Sequence, residues 1–206
     1  MKLIQRLLNL RLRPPTRLRE DAIYGAKTDQ VVRQFQEART LRVDGIVGPN
    51  TWRALGSKID ASHRVTLFAQ WTNMSCWSAA ATMLFGNRSV GPGSATLGPS
   101  GGLRPSAQNV QQFANSHGLH MHYPQSWTVA GLVKLLRHSG PLWVAGWVPS
   151  GHAVVYAGIF GDGTPDGTML LIYDPWPPGV GNIRGELYGD WVRAHPTATT
   201  YILTRK

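Results

Sequence analysis

A single cysteine, Cys76, stands among 206 residues. One thiol excludes an intramolecular disulfide and any zinc site built on a cysteine cluster. Acidic residues are scarce: 11 Asp and Glu face 21 Lys and Arg, for a net charge of +10. No stretch reaches the roughly 18 apolar residues of a membrane span. Nor does the start read as a secretory signal, because Arg6 and Arg11 interrupt its apolar run and no small-residue cleavage site follows. Charged residues, at 16%, are too few for a disordered chain, and 42% hydrophobic residues suffice for a packed core.

The positive excess favours polyanionic partners: nucleic acid, an anionic membrane face or the acidic bacterial cell wall. It is concentrated at the front, since residues 1–56 carry +6 and residues 57–206 carry +4. The arginines are scattered, and zinc-finger, basic-zipper and RNA-recognition signatures are missing, so no nucleic-acid partner is expected.

An internal repeat organises residues 1–56. Asp21-Ala22-Ile23-Tyr24-Gly25-Ala26-Lys27-Thr28 recurs 23 residues later as Asp44-Gly45-Ile46-Val47-Gly48-Pro49-Asn50-Thr51. Each copy reads as a turn and a helix start, with Gly25 and Gly48 supplying backbone freedom. Leu3, Ile4, Leu7 and Leu8 mark one face of an opening helix, and helical runs follow at 29–39 and 51–55. Leu3-Ile4-Gln5-Arg6-Leu7-Leu8, Val31-Val32-Arg33-Gln34-Phe35-Gln36 and 43–55 resemble the three-helix peptidoglycan-binding domain of cell-wall hydrolases. The resemblance implies wall binding. Ala22 departs from it, standing where that family has glycine. Residues 57–66 lack periodicity and read as a linker.

The thiol lies in Gln70-Trp71-Thr72-Asn73-Met74-Ser75-Cys76-Trp77-Ser78-Ala79-Ala80-Ala81. After Ser75 the chain turns alanine-rich and free of Gly and Pro, which places Cys76 in the first turn of a helix. Unpaired backbone N–H groups there favour a thiolate, although a free cysteine is also a common core residue. The histidines decide between the two. Ser150-Gly151-His152-Ala153-Val154-Val155-Tyr156 leads His152 into a strand, and a Gly-rich turn at 161–167 returns the chain through 169–173 to Asp174-Pro175-Trp176. Such a hairpin sets Asp174 beside His152. Thiolate, imidazole and a carboxylate fixing the imidazole tautomer are the parts of a nucleophilic site.

Here the chain resembles papain-like cysteine peptidases, in the order Cys, His, Asp. Gln70 lies six positions before Cys76, the spacing of that family's oxyanion donor. Cys76-Trp77 and Gly151-His152-Ala153 match its motifs, and Asp174-Pro175-Trp176 resembles its Asn-x-Trp. The likeness runs from about Val65 to Lys206 and is nearest the protease effectors of plant-associated bacteria. It implies catalytic roles for Cys76, His152, Asp174 and Gln70.

The expected architecture is α+β. A small all-α three-helix module over 1–56 and a linker over 57–66 precede a papain-like domain over 67–206, whose Cys-bearing helix packs on an antiparallel sheet bearing His and Asp. Residues 86–105, rich in Gly, Pro and Ser, read as a long loop that either borders a cleft or is a plain connection. Helices are expected at 106–116 and 128–138, and a buried strand at 141–148. His120 and His122 alternate on one strand face but have no companion ligands, and the turn at Asp162 and Asp166 lacks a calcium-loop spacing, so neither metal nor cofactor is expected. Trp71, Trp127, Trp143 and Trp147 read as core or cleft wall.

The expected function is hydrolysis of amide bonds, in peptidoglycan stem peptides or alternatively in proteins of a host or partner. Wall targeting without a leader suggests an antibacterial toxin exported by a contact-dependent apparatus such as type VI. It would act in the target-cell periplasm or at the wall, with an immunity protein as a possible partner.

Overall fold

Alternate residues of the central strands are apolar on both sides, and the computed structural model shows why. It describes residues 2–56, 59–86, 89–146, 151–194 and 200–206. One antiparallel sheet runs in the order β2 (Leu119–His122), β7 (Thr200–Arg205), β3 (Leu142–Gly146), β4 (His152–Gly161), β5 (Thr168–Asp174), β6 (Asn182–Leu187), and β1 (Ile59–Ser62) pairs with β4. Helices cover both faces. Ala145, Ala153, Val155, Ala157 and Leu203 face α4 (Cys76–Phe85) and α5 (Ala107–Ser116). Their neighbours Val144, Val154, Tyr156 and Ile202 face α6 (Val129–Ser139) and α7 (Tyr188–Ala194). A sheet buried on both sides reads as near-continuous hydrophobic sequence, as these strands do.

Small residues let α4 sit close to the sheet. Ala80 and Ala81 share a core with Ala145, Ala153 and Ala157, and the buried Trp143 indole N–H donates to the Trp77 carbonyl at 3.0 Å. That bond ties the first turn of α4 to β3.

The N-terminal module is three helices, α1 (Lys2–Arg11), α2 (Ala26–Ala38) and α3 (Pro49–Ala54), around Leu3, Leu7, Leu8, Val32, Phe35 and Leu55. The repeat is also a repeat of buried amides. Gln5 Nε2 donates to Asp21 Oδ1 (2.8 Å) and the Ile23 carbonyl (3.0 Å), while its Oε1 accepts from Ala22 N–H. Gln36 makes the same set with Asp44, Ile46 and Gly45. Each amide satisfies the polar groups of a turn that the small core could not otherwise enclose.

Several expectations are corrected. The left-handed residues of the two turns are Ala22 (φ 67°) and Gly45 (φ 73°), whereas Gly25 and Gly48 are extended N-caps of α2 and α3. Alanine thus takes up, at position 22, the left-handed conformation that glycine has at position 45. Helix α2 starts three residues earlier than expected because Gly25 caps it; Thr28 is buried beside Gln5. The linker assigned to 57–66 is corrected over Ile59–Ser62, which pair as β1 with Gly158–Gly161. Gly158 makes room for this, since a Cβ there would lie 2.9 Å from the Ala61 carbonyl oxygen. Of the strand expected at 141–148, Leu142–Gly146 form β3; Trp147 and Val148 lie outside the described residues, as do Ser57, Lys58 and Ser150.

The module rests on the sheet. Met169 and Leu187 pack against its core, Trp52 stacks on Phe160 with ring centroids 6.2 Å apart, and Arg6 Nη1 donates to the Asp166 carbonyl at 3.1 Å. No described helix is long and apolar enough to cross a membrane.

Candidate active site

Cys76 opens α4, directly after Ser75, with the unpaired N–H groups of the first turn around it. The residue is 8% exposed, yet it lines a cavity of about 200 Å³ together with Trp77, Leu103, Pro105 and Ala153. That contact settles the part played by residues 86–105: among the described ones, Gly102, Leu103 and Pro105 border the cleft, and the Trp77 indole donates to the Gly101 carbonyl at 3.1 Å.

His152 is the first residue of β4, and Asp174 is the last of β5. The antiparallel hairpin brings these two ends together, and His152 Nε2 lies 2.6 Å from Asp174 Oδ1. With Nε2 occupied, Nδ1 is the ring nitrogen left for the thiol. Burial alone would lower the imidazole pKa, but hydrogen bonds to Asp174 and Cys76 and their negative charges outweigh it and raise it to about 9. The imidazolium is thus the resting form at neutral pH.

Asp174 is held from three sides. Its Oδ1 also accepts from Trp176 N–H at 3.0 Å, and its Oδ2 is paired with Arg184 Nη1. Burial opposes the carboxylate, but the bonds from His152 and Trp176 and the cations His152 and Arg184 keep its pKa below the ordinary value. Arg184 in turn faces Glu186 at 3.6 Å. Sequence reasoning missed Arg184. The signal available was alternation: β6 pairs Asn182 with Asp174 and Arg184 with Ile172, which sets Arg184 diagonally across from the carboxylate.

Gln70 is fully buried. Its Nε2 donates to the Thr72 carbonyl at 2.7 Å, and its Oε1 makes no hydrogen bond among the described residues. Its backbone is fixed to the segment after Asp174, for Gln70 N–H donates to the Pro175 carbonyl and Gly179 N–H to that of Gln70, both at 2.9 Å. Ser75 Oγ accepts from the N–H groups of Trp71 and Thr72 and closes the loop between Gln70 and Cys76. The four predicted positions therefore share one neighbourhood. A second cavity of about 560 Å³ is lined by His152, Asp174, Trp176 and Arg184 and shares Asn73, Met74 and Gly151 with the first.

The remaining candidates lie apart from these cavities. His120 and His122 are neighbours on β2, with rings 4.6 Å apart, and His122 faces Thr204 and Trp127. Among the described residues no group of three or more His, Cys, Asp or Glu is placed to hold a metal ion. Asp162 accepts from Thr164 within its turn, and Asp166 pairs with Arg193. Trp143 is core, and Trp71 is 57% exposed; Trp147 lies outside the described residues.

A cysteine on a helix start, facing a histidine and an acid on an antiparallel sheet, defines the papain-like class of cysteine peptidases. Comparison places the chain within it: residues 59–182 match the family described as papain-like cysteine protease AvrRpt2, to which the chain belongs. Residues 1–55 match the peptidoglycan binding domain. No curated protein matches the chain in sequence. Among solved structures, UfSP from C. elegans is similar at 13% identity and a TM-score of 0.42, over 70% of this chain and 33% of that one. A prointerpain A fragment from Prevotella intermedia is similar at 16% identity and a TM-score of 0.33, over 52% and 35%. The chain spans about a third of the length of these two structures.

Proposed function

We propose that the protein is a cysteine hydrolase that cleaves amide bonds in the stem peptides of peptidoglycan. The observation that carries the chemistry is the His152 ring, bonded through Nε2 to Asp174 at 2.6 Å, with its Nδ1 left for the thiol of Cys76. In this reading the Cys76 thiolate attacks the amide carbonyl. The oxyanion is stabilised by the Cys76 backbone N–H and by the Gln70 side-chain N–H not engaged by Thr72. The His152 imidazolium protonates the leaving amine, and the neutral ring then takes a proton from water as it attacks the thioester, releasing the acid and restoring the thiolate. Asp174 fixes the ring tautomer and stabilises its cation.

Support for the substrate comes from the fused module. A wall-binding domain raises the local concentration of catalyst at an insoluble polymer, and its charge of +6 over residues 1–56 suits an anionic one. The wider role that follows is that of an antibacterial effector, held in check at home by an immunity protein. The description of the matching family as a protease favours a second reading, cleavage of protein substrates.

Mass spectrometry of purified sacculi after incubation with the wild type and Cys76→Ala separates the two. New stem-peptide termini with the wild type alone are expected. Intact muropeptides together with cleavage of an unfolded protein such as casein would replace the first reading by the second, and equal turnover by Cys76→Ala would end both.

A further inference from the structure

The contact with the peptidase sheet uses Arg6 and Trp52 of the N-terminal module and leaves its two turns uncovered. There the module exposes apolar side chains at equivalent places of the repeat: Ile23 is 65% and Ile46 67% exposed, with Val43 at 47% and Tyr24 at 38% beside them. These are not frayed loop residues. Ile23 N–H donates to Asp21 Oδ1 and its carbonyl accepts from Gln5, and Ile46 is gripped identically by Asp44 and Gln36. Tyr24 Oη donates to the Gly45 carbonyl and holds the turns against each other, so the four side chains border one surface. Buried amides are thus used to present isoleucines to water, an arrangement that contributes nothing to the core. Lys27 and Arg42 are exposed in the same stretch of chain, Arg42 with Nε 3.8 Å from Asp44 Oδ2, and Asp21 and Asp29 stand at the same turns.

We propose that this two-turn surface is where the module grips peptidoglycan, on the stem-peptide side of the strand. The proposal rests on the wall-directed reading given above. The alanine and lactyl methyl groups at the root of a stem peptide would lie against Ile23, Tyr24 and Ile46, and the peptide carboxylates would face Lys27 and Arg42. Exposed, rigidly held isoleucines match the methyl groups of a stem peptide better than a glycan, which offers hydroxyls.

The test is sedimentation of the full chain with purified sacculi, on the Cys76→Ala background so that the polymer stays intact. Cys76→Ala alone should bind, and adding Ile23→Ser and Ile46→Ser should weaken binding about tenfold or more. Equal binding by the variants overturns this surface and leaves the wall reading standing. Failure of Cys76→Ala itself to bind removes the wall reading and this proposal with it. A second measurement does not depend on the variants folding. Soluble muropeptides titrated into ¹⁵N-labelled Cys76→Ala should shift the amides of Ile23, Gly45 and Ile46, and shifts confined to other parts of the module overturn the proposal.

Discussion

Asp174→Asn isolates what the carboxylate does for the imidazole. The substitution keeps an oxygen that can accept from His152 Nε2 and from Trp176 N–H, the two bonds now made by Oδ1. It removes the charge. With charge centres about 4 Å apart and an effective dielectric near 20, the lost attraction is roughly 4 kcal/mol, or about three pKa units before compensation. Compensation is substantial, because Arg184 already neutralises the other oxygen and would swing away from an amide N–H₂. Cys76 also continues to support the cation. The expected net effect is a fall of about 1–2 units from the native value of about 9. The sign is fixed by the chemistry: an imidazolium that loses its anion gives up its proton at lower pH. A ¹³C-edited NMR titration of the His152 ring in the wild type and in Asp174→Asn reads this directly and needs no knowledge of the substrate. In turnover, the alkaline limb of kcat/KM should move down by the same amount. A ring pKa that stays within about 0.3 units, or rises, would refute the assignment of Asp174 as the group that holds His152 charged.

The other predictions follow from neighbouring contacts. Arg184→Met should act in the opposite direction on the ring: losing a cation beside the shared carboxylate leaves the His152 pKa unchanged or higher and raises that of Asp174, so the same titration distinguishes the two substitutions. A His152 pKa that falls in Arg184→Met would contradict it. Gln70→Ala removes the side-chain donor and should lower kcat on the order of 100-fold with little change in KM; an unaltered kcat would exclude Gln70 from the oxyanion site. In the N-terminal module, Ala22→Gly should stabilise the chain by about 0.5–1 kcal/mol, because a left-handed alanine is relieved. Gly45→Ala should cost about 2 kcal/mol or more, since a Cβ there also collides with the Asp29 carboxylate. Urea unfolding measures both, and equal effects at the two sites would refute this account of the turns.

The residues that were legible in the sequence are those whose role is written locally. Cys76 could be placed because a helix start is a local event, and His152 because a Gly-flanked entry into an apolar strand is another. The α+β class followed from the same patterns, down to α5 and α6, whose caps Ser106 and Thr128 accept from the N–H groups of Asn109 and Gly131. What escaped was written at a distance. Ile59–Ser62 carry no amphipathic period, and they become a strand because β3 pairs with β4 only as far as Tyr156, leaving Gly158–Gly161 on that edge, with a glycine for β1 to approach. The turn glycines misled for the same reason: a glycine is permissive, not obligatory, in the left-handed region. In the first copy the buried amide of Gln5 holds an alanine there instead.

The site itself joins the two kinds of information. The positions at 70, 76, 152 and 174 can be named from motifs, but nothing in the motifs says how a segment before the helix meets a carboxylate about a hundred residues later. Two backbone bonds do it, Gln70 to Pro175 and Gly179 to Gln70, and they make the segment at Gln70 and the loop after Asp174 one structural unit. Arg184 closes that unit from the other side by pairing with Asp174 from β6. The thiol, by contrast, comes from a different layer, pinned through the Trp77 carbonyl to Trp143. The distance that the proposed catalysis depends on, between sulfur and imidazole, is thus set by how α4 seats on β3 and β4. The alanines at positions 80, 81, 145 and 153 allow that close seating. Packing between α4 and the sheet, more than any hydrogen bond within the site, would therefore set how well the proposed nucleophile and acid–base partner are aligned.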